Sequence, residues 1–326
     1  MSNQSFADLG VSRAVVSSLT RQGITKPFEI QRQVIADVLA GRDVLAKSPT
    51  GSGKTLAFGI PLVDRIAAED RRPSALVLAP TRELAIQIVD DIQAIAHARA
   101  LRVTAVYGGV GLVKQSNDAS RSHILVATPG RLEDLLSRGA FTLDAVRMLV
   151  LDEADRMLDM GFRPAVERIV AVCPQTRQTL FFSATLDGDA GRLARKYTER
   201  PRVHEHGPAA RRASADVEHR FVRVEQEHRL EALLDELRGA RGLTLVFVRT
   251  KHGADRLVKR LRSNGVQAIA MHGNKSQRQR EQALAQFESG AVDTLVATDV
   301  AARGIDVNGI SHVINFDPPE IGRAHV

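Results

Sequence analysis

Apolar and polar positions alternate along the chain in blocks, with short apolar runs separated by stretches that carry apolar residues at helical spacing. In the first two thirds of the chain the runs cover residues 43–46, 75–79, 103–107, 124–128, 148–151 and 179–183. Buried strands that alternate with amphipathic helices predict a parallel sheet covered by helices on both faces, which is an α/β domain.

The pattern stops between residues 204 and 216, where glycine, proline, alanine and arginine predominate, and this segment predicts a flexible basic linker. We therefore expect a domain over 1–205, a linker over 206–216 and a smaller α/β domain over 217–326. The second domain has its own series of apolar runs, at residues 220–224, 243–248, 266–271, 294–298 and 312–316.

Composition narrows the class of protein. Hydrophobic residues make up 44% and charged residues 25% of the 326 positions, which is typical of soluble globular proteins. Cys173 is the single cysteine, so an internal disulfide and a multi-cysteine zinc site are excluded. With no apolar run near the length of a membrane span, we expect a cytoplasmic protein with no membrane partner. The net charge of +7 is compatible with a polyanionic partner.

Residues 48–55, Ser-Pro-Thr-Gly-Ser-Gly-Lys-Thr, lie between a predicted strand and a helical pattern over 56–68. A strand that turns through glycines into a helix beginning Gly-Lys-Thr predicts a phosphate loop, in which Lys54 reaches the β- and γ-phosphates and Thr55 ligates Mg²⁺. The alternative is a Gly/Ser loop that only caps a helix. The loop residues expected around the phosphates are Ser48, which replaces the usual first glycine, Thr50, Gly51, Ser52 and Gly53.

Asp152 and Glu153 follow the apolar run 148–151, so they are expected at the carboxyl end of a strand, near the phosphate loop. There Asp152 would hold Mg²⁺ through water, and Glu153 would orient and deprotonate the attacking water. The alternative is an acidic first helical turn without catalytic function. The combination with a phosphate loop favours nucleotide hydrolysis.

Several further short motifs occur in a fixed order, and together with the phosphate loop they resemble those of the DEAD-box RNA helicases over nearly the whole chain. They are residues 80–85 (Pro-Thr-Arg-Glu-Leu-Ala), 108–109, 128–131, 152–155 (Asp-Glu-Ala-Asp), 183–185, 246–250, 272–280 and 297–306. The resemblance implies two RecA-like domains, ATP and Mg²⁺ as cofactors, RNA as partner, and ATP-driven RNA duplex unwinding or RNP remodelling.

The resemblance also implies how adenine is recognised. Residues 23–31 look like the family's adenine-recognition segment, in which Lys26 lies and Gln31 reads the adenine edge. Phe6 has the spacing of an aromatic residue that stacks on the base, and Arg13 would cover its other face. Ordinary core packing is the alternative for Phe6. Phe28 stands where the family usually has a small hydroxyl residue.

By the same resemblance, RNA phosphates are bound from both domains, and little sequence specificity follows from such backbone contacts. Ser183, Thr185 and Asp155 would couple nucleotide state to RNA binding, and Asp306 would contact the ATP ribose. The RNA-binding residues implied are Arg82, Gly109, Thr128, Arg131, Gly273, Gln277, Arg280, Thr298 and Arg303.

The last residues depart from the family pattern. Residues 315–319 match it, but the chain ends before the motif that carries the family's arginine fingers. Residues 321–326 correspond to one reading frame of a widely used sequencing adapter, so we interpret them as non-native and the second domain as incomplete. The expectation is then a fragment that binds ATP but shows little RNA-stimulated hydrolysis. A genuinely shortened protein is the rival interpretation.

Two other functions remain open from sequence alone. One is a DNA-directed helicase, and the other is an ATP-gated RNA clamp without productive unwinding. The aromatic content of 4% disfavours a platform that stacks RNA bases. We expect a monomer, and the sequence identifies no protein partner.

Overall fold

The computed structural model describes residues 4–48, 52–186, 188–205, 218, 220–239, 242–298, 307 and 309–317. The chain divides into two compact units, Met1–Asp216 and Val217–Val326. The predicted linker 206–216 and the predicted non-native residues 321–326 lie outside the described residues, so the proposed domain boundaries stay predictions.

A parallel sheet forms the centre of the first unit, and its described strands run in the order β3-β4-β2-β5-β6-β1-β7. Each predicted run of this unit forms a strand within one or two residues of the expected bounds. The strands are β1 Val44–Lys47, β2 Ala75–Leu78, β3 Val103–Val106, β4 Ile124–Ala127, β5 Met148–Leu151, β6 Gln178–Ser183 and β7 Arg202–Glu205.

Helices cover both faces of this sheet. Successive strand residues point to opposite faces, so the residues of one strand are divided between two buried clusters. Val44 and Ala46 of β1 belong to one buried cluster, whereas Leu45 belongs to the other. The prediction of a sheet buried on both faces is confirmed. The helices are α1 Arg13–Arg21, α2 Glu29–Leu39, α3 Lys54–Arg65, α4 Arg82–His97, α5 Leu112–Ser120, α6 Pro129–Ser137, α7 Ala154–Asp159, α8 Arg163–Ala171 and α9 Gly188–Tyr197.

The second unit holds a smaller parallel sheet, with its described strands in the order β11-β8-β10-β9. The prediction of two α/β units is thus confirmed. The strands are β8 Leu243–Val248, β9 Ala268–Met271, β10 Thr294–Thr298 and β11 Ile310–Asn315, and the helices are the 3₁₀ turn Gln226–His228, α10 Arg229–Gly239, α11 Lys251–Ser263 and α12 Gln277–Glu288.

One strand prediction is wrong. Residues 220–224 form no strand, although their apolar character predicts one. Phe221 is 95% exposed and Val222 is 54% exposed, so neither side chain finds the buried face that stabilises a strand. None of the helices that the structure describes is both long and apolar enough to span a bilayer.

Candidate functional site

The predicted phosphate loop joins β1 to α3 at the carboxyl edge of the first sheet. Gly53 adopts a left-handed conformation at φ +82° immediately before α3 begins at Lys54, which glycine does without steric cost. Ser48 is fully buried, and its hydroxyl lies 2.5 Å from the Ser52 hydroxyl. The small side chain at position 48 therefore fits the turn. Residues 49–51, and with them Thr50 and Gly51, lie outside the described residues.

Lys54 and Asp152 face one another in the interior. Their side chains are almost fully buried, and Lys54 Nζ lies 3.9 Å from Asp152 Oδ1. Burial raises the pKa of Asp152 to about 6. The positive charge of Lys54 lowers this pKa, and the negative charge of Glu153 raises it. Hard carboxylate and hydroxyl oxygens, such as those of Asp152 and Thr55, are the donors that Mg²⁺ prefers.

Glu153 directly follows Asp152 in an unusual backbone conformation, with φ +49° and ψ 50°. Its N–H donates to Asp152 Oδ1 at 2.9 Å, and its Oε2 lies 2.5 Å from Nη1 of Arg156. The sequence reasoning missed Arg156. The spacing of three residues across the start of α7 could have revealed it, because such pairs face each other on a helix.

The segments after β5 and β6 meet beside these acids. The backbone N–H of Thr185 donates to Asp155 Oδ2 at 3.1 Å and to the buried Ser183 hydroxyl at 3.3 Å. In addition, Ser48 N–H donates to the Ser183 carbonyl at 3.0 Å. The residues implied to couple nucleotide state to RNA binding are therefore in direct contact, and the phosphate loop is bonded to the same segment.

Gln31 connects the predicted adenine segment to the phosphate loop. Its Oε1 accepts from the Phe28 N–H at 2.8 Å, and its Nε2 donates to the Gly53 carbonyl at 3.0 Å. Each end of the amide keeps one further hydrogen-bonding position. A Cβ added to Gly53 would meet Phe28 Cδ2 at 2.5 Å, so Phe28 lies directly against this glycine.

Phe6, Arg13 and Lys26 differ in their burial. Phe6 is 2% exposed and packs in a core cluster, as in the alternative of ordinary packing, whereas Arg13 and Lys26 are exposed. Contacts of these three residues with a nucleotide stay predictions.

A second group of predicted residues lies at the carboxyl ends of β2, β3 and β4. The backbone of Gly109, at φ +94°, passes so close to Arg82 that an added Cβ would lie 2.5 Å from Arg82 Nη1. Thr128 precedes α6, and Arg131 Nη1 donates to Gln115 Oε1 at 2.9 Å and to the Val110 carbonyl at 3.1 Å. Sequence reasoning missed Gln115, which no motif marked.

In the second unit, Gly273 and Arg280 lie on the turn after β9 and on α12, and Thr298 ends β10. Sequence reasoning missed Asp255, which lies 2.9 Å from Lys275 Nζ and 3.0 Å from Nε2 of the buried His272. The Lys275 hydrogen bond, followed by His272, lowers the pKa of Asp255. The Gln277 side chain, Arg303 and Asp306 lie outside the described residues.

Comparisons with known proteins agree with the motifs. The DEAD/DEAH box helicase model matches residues 28–193, and the helicase conserved C-terminal domain model matches residues 226–325. The chain is 38% identical over 323 residues to the DEAD-box ATP-dependent RNA helicase CshA of Streptococcus pneumoniae, covering 98% of this chain and 62% of that protein. It is 40% identical over 316 residues to the ATP-dependent RNA helicase DbpA of Bacillus subtilis, covering 96% and 66%.

Among solved structures, S. cerevisiae Dbp5 bound to RNA and ADP BeF3 matches with a TM-score of 0.85 and 28% identity, over 98% of this chain and 82% of that one. The chain spans 62 to 66% of the length of the two curated relatives above.

Proposed function

We propose that this chain, which belongs to the DEAD/DEAH box helicase family, is the catalytic part of an ATP-dependent RNA helicase that unwinds short RNA duplexes or remodels RNA–protein complexes. The observation that carries the proposal is the buried pair of Lys54 and Asp152, 3.9 Å apart, with Glu153 adjoining. A lysine and two acids at the carboxyl ends of strands beside a phosphate loop suit phosphoryl transfer to water.

In this proposal ATP binds with its adenine at one end of the site and its phosphates at the other. Gln31 uses the free position at each end of its amide to bind the adenine edge, while its bonds to Phe28 and Gly53 hold it in place. The N–H groups at the start of α3 and the Lys54 ammonium bind the phosphates. Phe6, Arg13 and Lys26 are further proposed contacts to the nucleotide.

For hydrolysis, Thr55 and Asp152 would hold Mg²⁺, which when bound neutralises charge on the phosphate oxygens. The buried carboxylate of Asp152 fits such a cation, since burial already disfavours its uncompensated charge. Glu153 orients water and accepts its proton. For that purpose its Oε1 accepts no hydrogen bond from the residues that the structure describes, while its Oε2 is held by Arg156.

For RNA, Arg82, Gly109, Thr128 and Arg131 form one proposed surface of the first unit, and residues of the second unit, such as Arg280 and Thr298, form another. Guanidinium groups and helix-start N–H groups bind phosphate oxygens rather than base edges. Binding should therefore be weakly sequence-dependent and strongly salt-dependent. We further propose that the protein is a cytoplasmic monomer.

The test is anisotropy of a labelled single-stranded RNA with ADP·BeF3, with ADP and without nucleotide, together with ATP hydrolysis with and without RNA. We expect RNA binding to tighten with ADP·BeF3 and Lys54→Ala to abolish that effect, because charged contacts to phosphate each contribute about 1.5–3 kcal/mol. Nucleotide-independent RNA binding would overturn the proposal. If the chain binds DNA as tightly as RNA, the result indicates a DNA-directed helicase. If ATP controls RNA binding, and the chain hydrolyses ATP but unwinds no duplex, the result indicates a clamp.

A further inference from the structure

Helix α11 of the second unit carries its positive charges on one face. Lys251–Ser263 contains five lysines and arginines and a single acid, Asp255. The opposite face packs in the core of this unit, through Ala254, Leu257, Val258 and Leu261. Because these buried residues recur at helical spacing, the charged residues between them are left on the solvent side.

Three of these cations form a continuous patch. Lys259 and Arg260 lie three and four residues after Arg256, and residues at those spacings are neighbours on a helix surface. All three side chains are exposed. None of them forms an ion pair or donates a hydrogen bond to a residue that the structure describes. Arg256, Lys259 and Arg260 are named the α11 stripe.

The cations on and just before α10, in the same unit, are paired instead. The pairs are Arg238 with Asp235 at 3.0 Å, Arg229 with Asp317 at 3.7 Å and Arg220 with Glu236 at 3.0 Å. Like charges at the spacings of the α11 stripe repel and destabilise a helix. The helix dipole favours cations in the last turn, which accounts for Arg260 but not for Arg256 or Lys259.

Asp255 does not neutralise the α11 stripe, although it precedes Lys259 by four residues. Its Oδ1 accepts from Lys275 Nζ at 2.9 Å, and its Oδ2 lies 3.0 Å from His272 Nε2. Both oxygens are thus directed to the turn after β9. The hydrogen bond from Lys275, followed by that from His272, lowers the pKa of Asp255 and keeps it ionised in this arrangement.

The start of α11 adjoins the proposed RNA surface of the second unit. Lys251 Nζ donates to Asn274 Oδ1 at 3.0 Å, and Asn274 follows Gly273, a proposed RNA contact. Arg256 lies five residues after Lys251, which is about 8 Å further along the helix axis. A strand of RNA that passes Gly273 therefore has the α11 stripe next to it along the same helix.

We propose that the α11 stripe binds the phosphate backbone of RNA and extends the proposed RNA surface of the second unit beyond Gly273. This inference rests on the proposed function. Exposed lysine and arginine side chains bind phosphate oxygens without reading base edges, so the contact adds affinity but no sequence specificity. An acidic protein segment carries the same sign of charge, but continuity with the Gly273 turn favours RNA.

The test is anisotropy of a labelled single-stranded RNA, measured with ADP·BeF3 over a series of salt concentrations. The triple variant Arg256→Gln, Lys259→Gln, Arg260→Gln should weaken RNA binding about tenfold or more at low salt. The slope of log affinity against log salt should become shallower by about 2, since each single-strand phosphate contact contributes about 0.7. Glutamine is a good helix former, so circular dichroism should stay unchanged.

A second triple variant, Arg220→Gln, Arg229→Gln, Arg238→Gln, is the matched control. It removes the same number of positive charges from the same unit, and the exposed ion pairs that it breaks contribute little stability. Its RNA affinity should stay within about threefold of wild type, because charges away from the bound strand are screened by salt. The inference is overturned if the two triple variants bind RNA alike.

The same titrations keep this inference separate from the proposed function. The ratio of RNA affinities with and without ADP·BeF3 tests the proposed function, and the α11 variant should leave that ratio unchanged while lowering both affinities. A ratio of one in wild type therefore refutes the proposed function alone. A labelled polyglutamate peptide tests the other partner. If the α11 variant loses affinity for this peptide but keeps its affinity for RNA, the stripe binds protein and the inference is overturned.

Discussion

The Gln31 side-chain amide donates to the Gly53 carbonyl at 3.0 Å, and so connects the start of α2 to the start of α3. The same amide accepts from the Phe28 N–H, which is one half of a capping box, whereas the phenyl ring of Phe28 cannot accept the reciprocal bond that a hydroxyl at position 28 would take from the Gln31 N–H. Under the proposed function, the residue that reads adenine also supports the turn that holds the phosphates.

Replacing Gln31 by alanine should therefore weaken ATP binding by more than the loss of one base contact. Two internal hydrogen bonds and the adenine contacts disappear, each contributing about 0.5–1.5 kcal/mol, so we expect the Kd for ATP to rise at least tenfold. Calorimetric titration measures it. Gln33→Ala on the same helix removes only an exposed bond to Glu29 and should leave the Kd unchanged. Equal effects of the two substitutions would contradict the assignment.

Gly109→Ala should impair RNA binding. The new Cβ would lie 2.5 Å from Arg82 Nη1, and alanine at φ +94° is strained, so both Arg82 and the loop must move. We expect a stability loss of about 1 kcal/mol and an RNA affinity several times lower, measured by anisotropy. Gly111→Ala is the control, because nothing lies within 4 Å of its Cβ. An RNA affinity equal to that of Gly111→Ala would refute the prediction.

Asp43 should make the first unit less stable as pH rises. Its carboxylate accepts from the N–H groups of Thr179 and Glu199, but burial outweighs these bonds and raises its pKa. Because the folded state binds the proton more tightly, this contribution to the free energy of unfolding is present below the unfolded pKa and is lost as pH rises through the folded one.

The stability difference between wild type and Asp43→Asn should therefore fall from pH 4 to pH 7. Urea unfolding followed by tyrosine fluorescence reports on the first unit alone, since both tyrosines belong to it. Asp144→Asn should show the opposite trend at lower pH, because hydrogen bonds from Thr142 and Arg71 lower the pKa of Asp144: its contribution is present above the unfolded pKa of 3.8 and is lost as pH falls from there through the lower folded pKa. Parallel pH trends for the two variants would disprove this account.

Cys173 should resist thiol reagents in the folded protein. Burial raises the pKa of its thiol to about 11, and the side chain is 4% exposed. Since the thiolate is the reactive form, we expect no labelling by a disulfide reagent at pH 7.5 and one equivalent per chain in denaturant. Rapid labelling of native protein would show that the segment after α8 opens.

The sequence predicts this fold well where the local pattern decides the structure, and less well where tertiary contacts decide it. Runs such as 148–151 are apolar throughout, so they become central strands. Residues 220–224 alternate arginine with apolar residues but find no neighbouring strand, which periodicity does not reveal. At the site, motifs predicted Asp152 and Gln31, and the three-residue spacing from Glu153 could have revealed Arg156, whereas the contact of Gln115 with Arg131 is visible only in the folded chain.

The position of β1 between β6 and β7 also determines when the proposed nucleotide site is completed. Both neighbours of the strand that precedes the phosphate loop lie more than a hundred residues further along the chain. At ribosomal rates of about 5–20 residues per second, Val44–Lys47 waits roughly 8–30 s for its partners to be synthesised. Nucleotide capture by a nascent chain would therefore report that the whole first unit has emerged and folded.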